Sequence, residues 1–172
     1  MSFQDIVTEK KNQWLLSHVD VAYPTPESLA GKALYLKSQI NVEYSQRTVQ
    51  TKLTESKFID DIYLVDFHRL TVMFAQLQAS QWPNAEEQAV VLEFFAQISL
   101  SPDQPMYIGF KKGTPVICAL LTAHNGDLLI SDIATNCDDE EIKAQFADQL
   151  IEIVNSQYNC SSYTLALGQT SS

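Results

Sequence analysis

An α+β fold is predicted: a helical N-terminal half, then an antiparallel β-meander, a packing helix and a final strand. Three observations carry it. Residues 1–100 contain a single glycine, Gly31, and their apolar residues recur mostly at helical spacing. Two glycine-containing turns, "KKGT" and "HNGD", then separate apolar, β-rich runs, which is the signature of consecutive hairpins. The stretch from about Asp139 to Tyr158 returns to the helical period, and "SYTLALG" reads as a closing strand.

Each element has its own justification. Ile6, Trp14, Leu15 and Val19 predict a first amphipathic helix ending near "HVDVAYPTP". Thr25 before Pro26 gives a second helix an N-cap and a proline at its first position. Leu29, Ala33, Leu36, Ile40 and Tyr44 recur at helical spacing behind it. "FIDDIYLVDFHRLTVMFAQLQASQ" reads in two ways: one long helix with Asp66 inside its apolar stripe, or a strand "IYLVDF" followed by a helix from about His68. The second avoids the carboxylate in the stripe. "WPNAEEQAVVLEFFAQISL" is a helix capped by Asn84, with Glu87 placed to close a capping box and Val90, Val91, Phe94, Phe95 and Ile98 buried. "MYIGF", "PVICALLTA" and "LLISDIAT" follow as strands of a meander. In the last helix Ile142, Phe146, Leu150, Ile153, Val154 and Tyr158 are expected to face inward. No repeat or linker interrupts the chain.

Composition bounds function. A chain of 172 residues is expected to form a single domain burying about two-thirds of its unfolded surface. The formal charge of -10 argues against nucleic acid and against an anionic membrane surface, since both need clustered Lys and Arg. Cys118, Cys137 and Cys160 form no CxxC pair and leave one odd, which fits free thiols in a reducing compartment. "MSFQDIVTEKK" lacks the layout of a signal peptide, and no apolar run approaches the roughly 18 residues of a membrane span. A cytoplasmic protein is expected.

The stretch from Ile59 to Gly168 resembles the GNAT (Gcn5-related N-acetyltransferase) superfamily. "MYIGFKKGTPVICALL" is similar to the family's hairpin, "LLISDIAT" to its central strand, "ADQLIEIV" to its cofactor-side helix and "SYTLALG" to the strand after that. The resemblance divides the chain into an N-terminal helical extension, 1–57, and a GNAT-like portion, 58–172. It implies that the central strand lends backbone groups to the pantetheine arm of acyl-CoA, and that the following loop wraps the pyrophosphate at a helix N-terminus. Free N–H groups, the helix dipole and close-approaching glycines make such a loop attractive to phosphate.

Two departures stand out. No glycine and no arginine lie between Gly126 and Gly168, and the loop holds Asp138, Asp139, Glu140 and Glu141. A carboxylate about 6 Å from a phosphate charge costs roughly 1 to 3 kcal/mol. Lys143 is the one cation nearby. Asp138 is expected to cap the helix itself, with Glu141 closing a capping box, so that the acids fill the phosphate's role. The family also continues past its last strand through a helix and two strands, where here "QTSS" follows. The N-terminal helices or a second copy of the chain are expected to fill that space.

The resemblance implies a general base on the central strand, and Asp132 is the candidate. Regular alternation would put it on one face with Ile130 and Ala134, and Ser131 on the other. The bland reading is a polar residue bonded to a neighbouring strand or loop. The backbone of Ile133, Ala134 and Thr135 is the candidate pantetheine contact, with Lys143 beside the cofactor. His18, His68 and His124 are scattered, "DDEE" lacks the alternating ligands of a calcium loop, and no metal site is expected. Cys118 reads as a small buried hydrophobe, and the acids beside Cys137 disfavour a thiolate nucleophile.

Three function readings follow. One is an acyl-CoA-dependent N-acyltransferase using acetyl-CoA or another acyl-CoA and a small-molecule amine. Another is a GNAT-fold binding or assembly module that has lost CoA. The last is an unrelated α+β domain for some other small ligand. A homodimer is expected through Tyr163–Leu167, if the final strand lies at an unfinished sheet edge.

Overall fold

Ser2 opens the first helix: its hydroxyl accepts the Asp5 N–H, and the Asp5 carboxylate accepts the Ser2 N–H at 3.1 Å, a capping box. The computed structural model describes residues 2–50, 59–139 and 141–168. Within them the order is α1 (Phe3–Ser17), α2 (Pro26–Gln39), β1 (Val42–Thr48), β2 (Asp61–Leu64), α3 (His68–Ala79), α4 (Ala85–Ala96), β3 (Met106–Lys111), β4 (Thr114–His124), β5 (Asp127–Thr135), α5 (Glu141–Tyr158) and β6 (Ser162–Gly168). Residues 59–67 therefore hold a short strand and a loop before the helix that starts at His68, and residue 58 of the ambiguous stretch lies outside the described residues.

The strands make one sheet in the order β1-β6-β5-β4-β3-β2, antiparallel throughout except for the β5–β6 pair. The two expected turns make the meander. Lys112 and Gly113 (φ 50° and 76°) join β3 to β4, and Asn125 and Gly126 (φ 50° and 83°) join β4 to β5. Two successive residues with positive φ match the twist of a tight hairpin, which is where glycine and asparagine are favoured. Asp60 fixes the first turn by accepting the Lys112 N–H at 2.7 Å.

α5 covers one face of the sheet, packing Ile142, Phe146, Leu150 and Val154 against Ile117, Leu121, Ile130 and Leu165. The other face lies under α1, α2, α3 and α4, where Phe74, Phe94, Phe95 and the Tyr35 ring form an aromatic core. The α4 stripe is as the sequence predicts for Val91, Phe94, Phe95 and Ile98, and the Asn84 side chain caps by accepting the Glu87 N–H at 2.8 Å. Ile153 departs from its predicted place and is exposed, because Ile151 takes the inward position on α5.

Two expectations for the N-terminal segment are corrected. The first 57 residues are not all helical. Tyr44 lies in β1, which pairs with β6 along its whole length, from Val42–Gly168 to Thr48–Ser162. β6 is thus an interior strand, and the open edge expected at Tyr163–Leu167 is closed by the chain itself. The position beside the last strand is filled by a strand as well as by helices.

The second correction concerns α2. Its buried residues are Ser28, Gly31 and Tyr35, whereas Leu29, Leu36 and Ile40 face solvent. Gly31 decides this. A Cβ there would lie 2.0 Å from the Val90 carbonyl oxygen and 2.8 Å from Phe94 Cβ, so α2 packs on α4 at a distance only glycine permits.

Candidate functional site

The parallel ladder between β5 and β6 is short, with Leu129 opposite Thr164 and Ile130 opposite Leu165. Asp132 lies two residues past the last of these pairs.

β5 is irregular there. Cys118 pairs with Ala134 and Leu120 with Ser131, so Asp132 and Ile133 together oppose Ala119, a β-bulge. Asp132 takes φ 55°, a left-handed conformation that aspartate tolerates better than most residues. The bulge breaks the expected alternation. Ile130 and Ile133 pack on the α5 side, while Ala134 packs in the core beneath α3 and α4. Asp132 therefore does not share a face with both Ile130 and Ala134.

α1 lies against both β5 and β6. Val7 packs on Leu129 of β5 and Ala166 of β6. One turn later Lys11 points the same way, since residues four apart share a helix face, and Leu15 enters the core on the next turn. The Lys11 ammonium sits 3.1 Å from Asp132 Oδ2, with side-chain exposures of 1% and 3%. It also donates to Tyr35 Oη at 2.9 Å and Gln39 Oε1 at 3.1 Å, which uses its three protons. Asp132 accepts from Tyr35 Oη at 2.7 Å and from Ser131 Oγ at 2.7 Å. Burial raises the Tyr35 pKa well above 10.0, and the Asp132 charge adds to the effect, so its hydroxyl stays a donor.

The backbone of β5 is occupied as well. Gln78 of α3 donates to the Asp132 carbonyl, and Gln81 donates to the Thr135 carbonyl at 2.8 Å. The Thr135 hydroxyl donates to the Val116 carbonyl at 2.8 Å. Ile133 is half-buried and Ala134 fully buried. The four candidates on β5 thus adjoin one another, and Asp132 and Thr135 already have polar partners within the protein.

At the start of α5, the Asp139 carboxylate accepts the Glu141 N–H at 2.9 Å, and its carbonyl accepts the Ile142 N–H at 3.3 Å. The capping side chain is Asp139, where the sequence points to Asp138. Lys143 is half-buried, and desolvation lowers its pKa below 10.5. These residues do not fit a pyrophosphate: a carboxylate holds the N–H that a phosphate would need, and the nearby ammonium is weakened by burial.

Sequence reading missed Lys11, Tyr35, Gln39, Gln78 and Gln81. For Lys11 a signal exists: Val7, Lys11 and Leu15 share one helical face, and a lysine between two buried apolar residues needs a buried partner. Cys118 is the small buried residue the sequence predicts, and burial raises its thiol pKa far above 9.0.

The sheet order, the meander and α5 make an α+β fold of the class the sequence predicts. Among solved structures, the chain is similar to a functionally unknown conserved protein from Staphylococcus epidermidis ATCC 12228, with TM-score 0.50, 13% identity, and coverage of 88% of this chain and 60% of that one. It is also similar to a GCN5-related N-acetyltransferase from Kribbella flavida, with TM-score 0.47, 12% identity, and coverage of 78% and 53% respectively. The chain thus spans 60% and 53% of the length of these two structures. An acyl-CoA N-acyltransferase from Pseudomonas aeruginosa matches with TM-score 0.37 and 10% identity, over 72% of this chain and 76% of that chain. Identities at this level bear on the fold alone. No protein-family model and no curated protein matches the sequence.

Proposed function

We propose that this chain is a GNAT-fold binding or assembly module that does not transfer acyl groups from CoA. The observation that supports it is Lys11. A general base must reach the acceptor amine with a free lone pair. Here the ammonium of Lys11 holds the place of that amine against Asp132, under Tyr35 and out of solvent. The Gln81 bond to the Thr135 carbonyl and the Asp139 cap on α5 support the same reading, since each occupies a group that the cofactor would need.

The short parallel β5–β6 ladder beside the Asp132 bulge favours a second reading, an acyl-CoA-dependent N-acyltransferase with Asp132 as base and Ile133, Ala134, Thr135 and Lys143 along the cofactor. Titration calorimetry with acetyl-CoA separates the two. The module reading expects no heat of binding up to millimolar acetyl-CoA. Micromolar binding, with acyl transfer to an amine that is lost in a folded Asp132→Asn variant, would establish the enzyme instead.

A further inference from the structure

α2 has two usable faces, and the fold buries the less apolar one. The stripe that the sequence offers as a core face, Leu29, Ala33, Leu36 and Ile40, is at the surface, with Leu29 43%, Leu36 39% and Ile40 79% exposed. Three large apolar residues on one face over three turns are the pattern by which one helix packs on another. Two lysines flank the stripe on opposite sides, Lys32 and Lys37, and neither has a partner among the described contacts. The segment before residue 58 is close to neutral, so the rest of the chain carries essentially the whole charge of -10.

We infer that the outward face of α2 docks an amphipathic helix of another protein whose apolar stripe is flanked by acidic residues. Charge decides the occupant. A second copy of this chain would bring Lys32 and Lys37 together with their own counterparts, a like-charge contact. An acidic helix is turned away by the remaining surface and accepted beside these lysines, so charge also selects the docking site. The inference rests on the module reading, in that it names that module's partner. Acetyl-CoA binding would defeat the module reading while leaving the docking result as it stands.

The test is a display selection of random 20-residue peptides on the full chain, counter-selected on the Leu36→Glu/Ile40→Glu variant. Both positions are exposed, so the variant should keep the wild-type circular dichroism. The expected winners carry apolar residues at i, i+3, i+4 and i+7 and net negative charge. Their affinity should weaken at least tenfold in Leu36→Glu/Ile40→Glu, and again in Lys32→Glu/Lys37→Glu or at high salt. Winners of net positive charge, winners that bind the variants equally, or no enrichment would overturn the inference. So would a dimer in light scattering that Leu36→Glu dissociates, because the second copy would then be the occupant.

Discussion

The Lys11 ammonium lies 3.1 Å from the Asp132 carboxylate with both side chains sealed from solvent, joining the first helix to the bulge of the central strand. Such a pair gains Coulomb energy only by giving up hydration, and its balance depends on complete hydrogen bonding. Tyr35, Gln39 and Ser131 supply that completion. Removing one partner strands the other. Lys11→Met is expected to cost about 3–5 kcal/mol in denaturant unfolding. The double variant Lys11→Met/Asp132→Asn should be more stable than Lys11→Met alone. If the second change adds to the loss, the two residues are not coupled.

Gly31 is the contact point of α2 and α4. Alanine there would meet the Val90 carbonyl oxygen at 2.0 Å, and this backbone atom cannot turn aside as a side chain could. Gly31→Ala should therefore destabilise the protein by about 1–3 kcal/mol or more, despite alanine's better helix propensity. Thermal unfolding at or above the wild-type midpoint would show that the helices do not approach this closely.

The acids before α5 have unequal roles. Asp139 alone of the described acids there caps a helix N–H with its side chain, so Asp139→Ala should cost about 0.5–2 kcal/mol. Asp138, exposed and outside the cap, should change stability by less than about 0.5 kcal/mol when replaced by alanine. Equal losses in urea unfolding would place the cap elsewhere.

His18 gives the stability a pH dependence. Burial lowers its pKa below 6.5, and its Nδ1 accepts the Ser99 N–H at 3.4 Å, which requires the neutral ring. The unfolded chain therefore binds the proton first as pH falls, so stability is held above about pH 6.5 and lost as pH drops through the folded-state pKa. Between pH 7.5 and 5.5 the wild type should lose more Tm than His18→Asn. Equal losses in the two proteins would exclude this histidine as the cause.

The sequence by itself determined the local features. Asn125–Gly126 and Lys112–Gly113 set their turns through backbone freedom, Thr25–Pro26 and Asn84 set helix starts, and Val91, Phe94, Phe95 and Ile98 set the buried face of α4. Each of these rests on neighbours within a turn or two. The tertiary structure alone decided the rest. Which face of α2 is buried depended on how close Gly31 lets α4 come, and β1 became a strand because β6 offered an edge to pair with. The register shift opposite Ala119 turned Asp132 toward α1, where no alternation rule would place it. The ion pair joins residues far apart in the chain. Its energy depends on burial and on three other hydrogen-bonding side chains, and those exist only once helices and sheet have come together.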